Sequence, residues 1–162
     1  MNAWMTLAGC ALLQCAALSA QAAPDLFYLQ NGLDGRGRCL ATHADTVAMA
    51  ACAKSPDQQW AVSPGDLPGY DKLRTAGAGE MFCLAAHPDE PRNVLAMDTC
   101  GKDDNQQWAI EHISVVPRRM RLTNRATGRT RCLEAQQSGF RLTPCSRRQA
   151  GHVWRSNTMP DL

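Results

Sequence analysis

The chain has 162 residues, with 17 Lys and Arg against 15 Asp and Glu for a net charge of +2, and 8 cysteines, enough for one modest globular domain. That length leaves little room for an enzyme beside a separate binding module, and a composition of 44% apolar and 20% charged residues is unlike that of a disordered tail.

Residues 1–24 carry no charge and run through Trp4, Leu7, Leu12, Leu13 and Leu18. This is the pattern of an export signal, and the small residues of Ala20-Gln21-Ala22 predict a signal peptide over 1–22 with cleavage before Ala23. The apolar run is too short and alanine-rich for a lasting membrane span. Its start lacks Lys and Arg, and Leu7-Ala8-Gly9-Cys10 resembles a lipobox. The expectation is a secreted or periplasmic protein. The alternative is an outer-membrane lipoprotein anchored through Cys10, which needs translation to begin upstream because only six residues precede Leu7.

Beyond the signal, Cys39, Cys52, Cys83, Cys100, Cys132 and Cys145 remain, an even set in an exported chain and so a disulfide framework. Separations of 13, 17 and 13 within successive pairs predict three local bridges. Zinc is the weaker reading, since the chain contains no C-x-x-C.

Aligned on the first Cys of each pair, Leu29, Leu73 and Leu122 stand ten residues before it, Gly35, Gly79 and Gly128 four before it, and Leu40, Leu84 and Leu133 directly after it. Aligned on the second, Val47, Leu95 and Phe140 lie five before it and Met49, Met97 and Leu142 three before it, the period of a half-buried strand. Trp60, Trp108 and Trp154 follow eight, eight and nine residues later. The chain therefore reads as three copies of one unit, at about 27–68, 69–114 and 115–158.

Each copy shows short alternating runs broken by turn residues such as Asn31-Gly32, Pro64-Gly65, Pro68-Gly69, Ala126-Thr127-Gly128 and Ser138-Gly139, with no apolar stripe of helical period. The fold class is all-β. A three-bladed propeller would be too small a ring, whereas three four-strand units make a compact barrel, so the expected architecture is a β-trefoil with one intra-repeat disulfide per copy. A Leu, a Met or Leu, and a Trp from each copy would meet near the threefold axis, each Trp burying roughly 200 Å². The glycine before each first Cys is expected at positive φ.

The units Cys39-Leu40 … Cys52 … Gln58-Gln59-Trp60 and Cys83-Leu84 … Cys100 … Gln106-Gln107-Trp108 resemble the ricin-type (R-type) lectin repeat with its Q-x-W signature. Cys132-Leu133-Glu134 … Cys145 … His152-Val153-Trp154 resembles a third copy with His for Gln, and the likeness spans residues 23–162. The resemblance implies a β-trefoil in which each Gln holds its repeat and three lobes carry shallow sugar sites. It further implies a carboxylate two after the first Cys, an aromatic two before the second, and an Asn just before the Gln. Here those positions hold Ala41, Ala85 and Glu134; Ala50, Asp98 and Thr143; and Asp57, Asn105 and Gly151. No copy has the full set. The sugar-binding residues that the resemblance leaves are Asp98, Asn105 and Gln106 in lobe two and Glu134 in lobe three.

Charge is unevenly divided. Residues 23–113 hold 7 basic and 13 acidic residues, net −6, while residues 114–162 hold 10 basic and 2 acidic, net +8, and every basic one is Arg. Arginine forks suit sulfate, phosphate or carboxylate, so Arg118, Arg119, Arg129, Arg131 and Arg141 are the expected patch for an anionic ligand. Nucleic acid is not the expected partner of an exported chain.

His43 and His87 each lie four after a first Cys but would sit on different lobes, and neither G-x-S-x-G nor H-E-x-x-H occurs. The chain is read as a non-enzyme without cofactor or metal. The expected function is a secreted carbohydrate-binding module, with a glycan or glycoconjugate, including anionic ones, as partner. The alternative is a receptor-binding or assembly subunit of a toxin complex, similar to the A and C subunits of cytolethal distending toxins and acting through protein contacts.

Overall fold

The computed structural model describes residues 25–33, 37–91, 94–115 and 118–158. The expected signal peptide with Cys10, and Gly35, lie outside the described residues.

Twelve β-strands follow one another in three sets of four. The first set is β1 (Tyr28–Asn31), β2 (Arg38–His43), β3 (Thr46–Ala51) and β4 (Trp60–Pro64). The second is β5 (Asp71–Thr75), β6 (Phe82–Ala86), β7 (Leu95–Thr99) and β8 (Trp108–Ser114). The third is β9 (Arg119–Asn124), β10 (Arg131–Gln136), β11 (Gly139–Pro144) and β12 (Trp154–Asn157). Strands β4, β5, β8, β9, β12 and β1 pair in that order, and a bridge between Phe27 and Trp60 closes them into a barrel. The hairpins β2–β3, β6–β7 and β10–β11 add one pair per repeat, joined to the rest through β1–β2, β9–β10 and β3–β7, so the chain folds as a β-trefoil.

The hairpins share one register because the same residue types recur. Leu40 stands opposite Met49, Leu84 opposite Met97 and Leu133 opposite Leu142. Two residues on, Thr42 faces Val47, Ala86 faces Leu95 and Ala135 faces Phe140. A shift of one residue would turn these apolar sets to solvent, so alternation fixes the pairing. Disulfides join Cys39 to Cys52, Cys83 to Cys100 and Cys132 to Cys145, each tying the start of a hairpin to the chain just past its end. Gly79 and Gly128 have φ of 86° and 79°, where a Cβ would be strained.

The three repeat tryptophans, Trp60, Trp108 and Trp154, are fully buried, and their indole Nε1–H groups must find acceptors. They donate to the carbonyls of Leu40, Leu84 and Leu133, at 2.9, 2.8 and 3.0 Å respectively. Each acceptor belongs to the residue directly after a half-cystine, so barrel strand and hairpin are locked together the same way in every lobe. Leu29, Leu73 and Leu122 fill the same core. Replacing Trp108 with Ala removes this packing and leaves the Leu84 carbonyl without its donor, and is expected to cost about 3–5 kcal/mol. Urea unfolding followed by circular dichroism checks this; a loss below about 1 kcal/mol would contradict the anchoring role.

Candidate functional site

In each lobe a short 3₁₀ turn precedes the tryptophan, and one side chain pins it. Gln58 Nε2 donates to Ala51 O at 2.8 Å while its Oε1 accepts from Ala53 N, also at 2.8 Å. Gln106 repeats this, donating to Thr99 O at 2.8 Å and accepting from Gly101 N at 2.7 Å. In lobe three His152 Nδ1 accepts from Ser146 N at 3.1 Å, the equivalent backbone group, and its Nε2 lies 2.7 Å from Thr143 Oγ1. Gln106 is 2% exposed, with both ends of its amide bonded to the turn, so it acts as a structural bracket for the turn.

Glu134 is likewise committed within its lobe. One carboxylate oxygen accepts from Thr143 Oγ1 at 2.9 Å, the other from Gln149 Nε2, and the residue is 7% exposed. Gly151 stands against it for a physical reason: a Cβ there would come within 2.6 Å of Ala135 O. Lobe three thus closes over its own carboxylate. Lobe two is more open. Asp98 Oδ2 lies 2.9 Å from His87 Nε2, with both side chains more than a third exposed. Asn105 gives its backbone carbonyl to Asn124 Nδ2 at 2.8 Å and keeps a buried Oδ1 without a partner.

The five arginines expected to form one patch are dispersed. Arg129 Nη2 donates to Gly69 O at 2.9 Å and its guanidinium lies 4.8 Å from the centre of the Tyr70 ring. Arg131 donates twice to Leu142 O, at 3.1 and 2.7 Å. Arg141 donates to Gln136 Oε1 and Pro91 O, both at 3.1 Å. Arg118 and Arg119 serve different cavities, the first with Met120 and Leu122, the second with Arg121, because neighbouring side chains along a strand take opposite faces. A count of charge does not register this capture by carbonyls.

The sequence reading missed a pocket at the seam between lobes one and two. It has a volume of about 280 Å³ and is lined by Ala44, Asp45, Asp57, Gly77 and Phe82, with Thr42, Ala78 and Met97 completing the walls. Lobe one supplies the β2–β3 turn, where Ala44 has φ of 55°, an uncommon conformation for a residue with a Cβ. Lobe two holds that turn through Met97 N, which donates to Asp45 O at 3.0 Å. Asp57 sits in the 3₁₀ turn Pro56–Gln58 behind Ser55, whose hydroxyl accepts from Asp57 N. The chain at Gly77 passes so close that a Cβ would lie 2.7 Å from Asp57 Cα. Phe82 is 40% exposed at the start of β6. One aromatic and two acidic residues from three sequence segments therefore line one cavity, where no single repeat carries the set.

A second cavity, about 510 Å³, is the open end of the barrel, lined by the core leucines Leu29, Leu73 and Leu122 with Asp25, Asp71, His112 and Arg118 among its polar groups. Burial pushes the Asp71 carboxyl above its ordinary value of 3.8. On the opposite side of the balance, hydrogen bonds from Lys72 and Gln107 hold Asp66 below that value. The folded protein grips the Asp71 proton more tightly than the unfolded chain does, so this stabilisation is full below the unfolded value and is lost as pH rises through the raised folded value. Asp71→Asn is therefore expected to raise the melting temperature at pH 7 and to leave it unchanged near pH 3. Thermal unfolding at the two pH values decides; a lower melting temperature at pH 7 would contradict it.

No protein-family model matches the sequence, and no curated protein matches it. Solved structures do. The fold is similar to ThreeFoil, a designed threefold-symmetric protein, with a TM-score of 0.66, 18% identity, and coverage of 85% of this chain and 99% of that one. It is similar to SeviL bound to asialo-GM1 saccharide, with a TM-score of 0.60, 16% identity, and coverage of 83% and 98%. It is also similar to the cytolethal distending toxin of Haemophilus ducreyi, with a TM-score of 0.62, 17% identity, and coverage of 94% and 96%. In two larger neighbours the matched region is 32% and 18% of the other chain.

Proposed function

We propose that this chain is an exported carbohydrate-binding module, acting by recognition rather than catalysis, with its sugar docked in the seam pocket between lobes one and two. The observation that carries this reading is the meeting of Phe82 with Asp45 and Asp57 in one cavity. A sugar ring presents a C–H face that stacks on an aromatic side chain, and adjacent hydroxyls that donate to carboxylate oxygens. A cavity of about 280 Å³ suits one terminal sugar unit. SeviL, a structure similar to this chain and solved with a saccharide, supports the same reading at the level of fold. In lobe two, Asp98 and His87 offer a weaker, more solvated second contact.

Binding to a glycan array is expected for the purified protein, and Phe82→Ala and Asp57→Asn are each expected to reduce it about tenfold, as loss of a stack or a charge-assisted hydrogen bond does. Unchanged binding by both folded variants would sink the seam as the site.

One observation favours a second reading, in which the chain is a toxin-type subunit contacting a protein. Met81 and Phe82 stand together on the surface, 68% and 40% exposed, an apolar step of the kind that assembly surfaces use. A blank array together with capture of a nuclease-type partner that fails with Met81→Asp would support it; retention of glycan binding by Met81→Asp would count against it.

A further inference from the structure

The strand-mounted arginines that the expected patch largely left out stand together. On β9, Arg119 and Arg121 are two residues apart and share a face. Arg155 on β12 stands directly opposite Arg119, and Glu111 on β8 directly opposite Arg121. Arg119, Arg121 and Glu111 line a cavity of about 380 Å³ whose rim includes Arg147, with Ile113 and Val153 as its apolar walls. Three permanently charged guanidinium groups thus line the cavity with one carboxylate, and Arg155 adds a fourth positive charge beside Arg119 on the same sheet face.

That carboxylate does not neutralise the cluster. Glu111 lies 3.6 Å from Arg121 and is 64% exposed, whereas the Arg121 side chain is 11% exposed. The Nε groups of Arg119, Arg121 and Arg155 are buried without hydrogen-bond partners among the described residues. Like charges directly across a strand pair repel, and a buried donor left unpaired is costly. The repulsion is relieved by one ligand type: a tetrahedral oxyanion, which accepts from several guanidinium forks at once.

We propose that this cavity is an oxyanion seat, taking a sulfate ester carried on a sugar chain. The oxyanion chemistry stands on the arginine geometry alone; the choice of a sugar as carrier rests on the carbohydrate reading above. The donors are recessed on the barrel wall, so an ester reaching into the cavity meets them and a flat phospholipid surface does not. The space beyond a lone ion, walled by Ile113 and Val153, accommodates part of the attached ring. This site is separate from the seam pocket, with no residue in common.

Titration calorimetry of the protein with a sulfated disaccharide, its desulfated counterpart, inorganic sulfate and inorganic phosphate tests the seat. The sulfated sugar is expected to bind at least tenfold more tightly than the desulfated one, and inorganic sulfate to compete with it. Arg119→Gln and Arg147→Gln are each expected to weaken it about tenfold, while Arg148→Gln, an equal charge change on an exposed neighbour outside the cavity, stays within about twofold. Arg147 is exposed, so its variant tests the seat even where a strand substitution disturbs folding. Equal losses in all three variants, equal binding of the two sugars, or binding only to vesicles of acidic phospholipid would overturn the proposal. Loss of neutral-sugar binding in a Phe82 variant, with sulfate competition intact, marks the failure of one site from that of the other.

Discussion

The structure depends on one hydrogen bond made three times, from a buried indole N–H to the carbonyl of the leucine that follows a half-cystine. A tryptophan at the centre of a barrel contributes the largest apolar area of any side chain, and brings one donor that must be satisfied. Placing the acceptor beside the disulfide makes the two constraints cooperate. The disulfide holds the hairpin's first strand to the segment leading toward the 3₁₀ turn, and the pinned turn presents the tryptophan to that same strand. Where lobe three replaces the glutamine pin with His152, the backbone N–H after the second half-cystine is still met, and the tryptophan keeps its partner.

That repetition is why the fold was legible. Leucine, glycine, methionine and tryptophan recur at fixed distances from the cysteines, and the period of two in Val47 and Met49, Leu95 and Met97, and Phe140 and Leu142 placed the hairpins before their register was seen. The lobe-bridging residues were not legible. Asn31 and Asn124, each eight before a first cysteine, donate to the backbone carbonyls of Gly151 and Asn105, while Thr75 at the same offset meets Thr42 instead. Alignment of the three copies would have found the Asn pair; their contacts depend on how the lobes close upon one another.

The candidate sites show the same division. Asp45, Asp57 and Phe82 belong to two copies, so a search within each repeat cannot assemble them, and the decisive contact is a lobe-two backbone N–H holding a lobe-one turn. Glu134 occupied the expected carboxylate position, but Thr143 and Gln149 each bond one of its oxygens and the side chain is buried among them. Arginine count gave the sign of lobe three and not its geometry, because three of the five expected side chains donate to the carbonyls of Gly69, Leu142 and Pro91. One scaffold thus carries three lobes with different surfaces: a seam cavity, an open polar pair and a closed carboxylate, consistent with function residing in sites grafted onto a fold.

The seam pocket is the central claim, and amide chemical-shift mapping with a bound monosaccharide tests it most directly. The expected result is a contiguous set of shifts at Ala44–Thr46, Asp57, Gly77, Ala78, Phe82 and Met97, with lobe three unmoved. Shifts confined to the loops around Glu134, or none at saturating sugar with the spectrum of a folded protein, would contradict it.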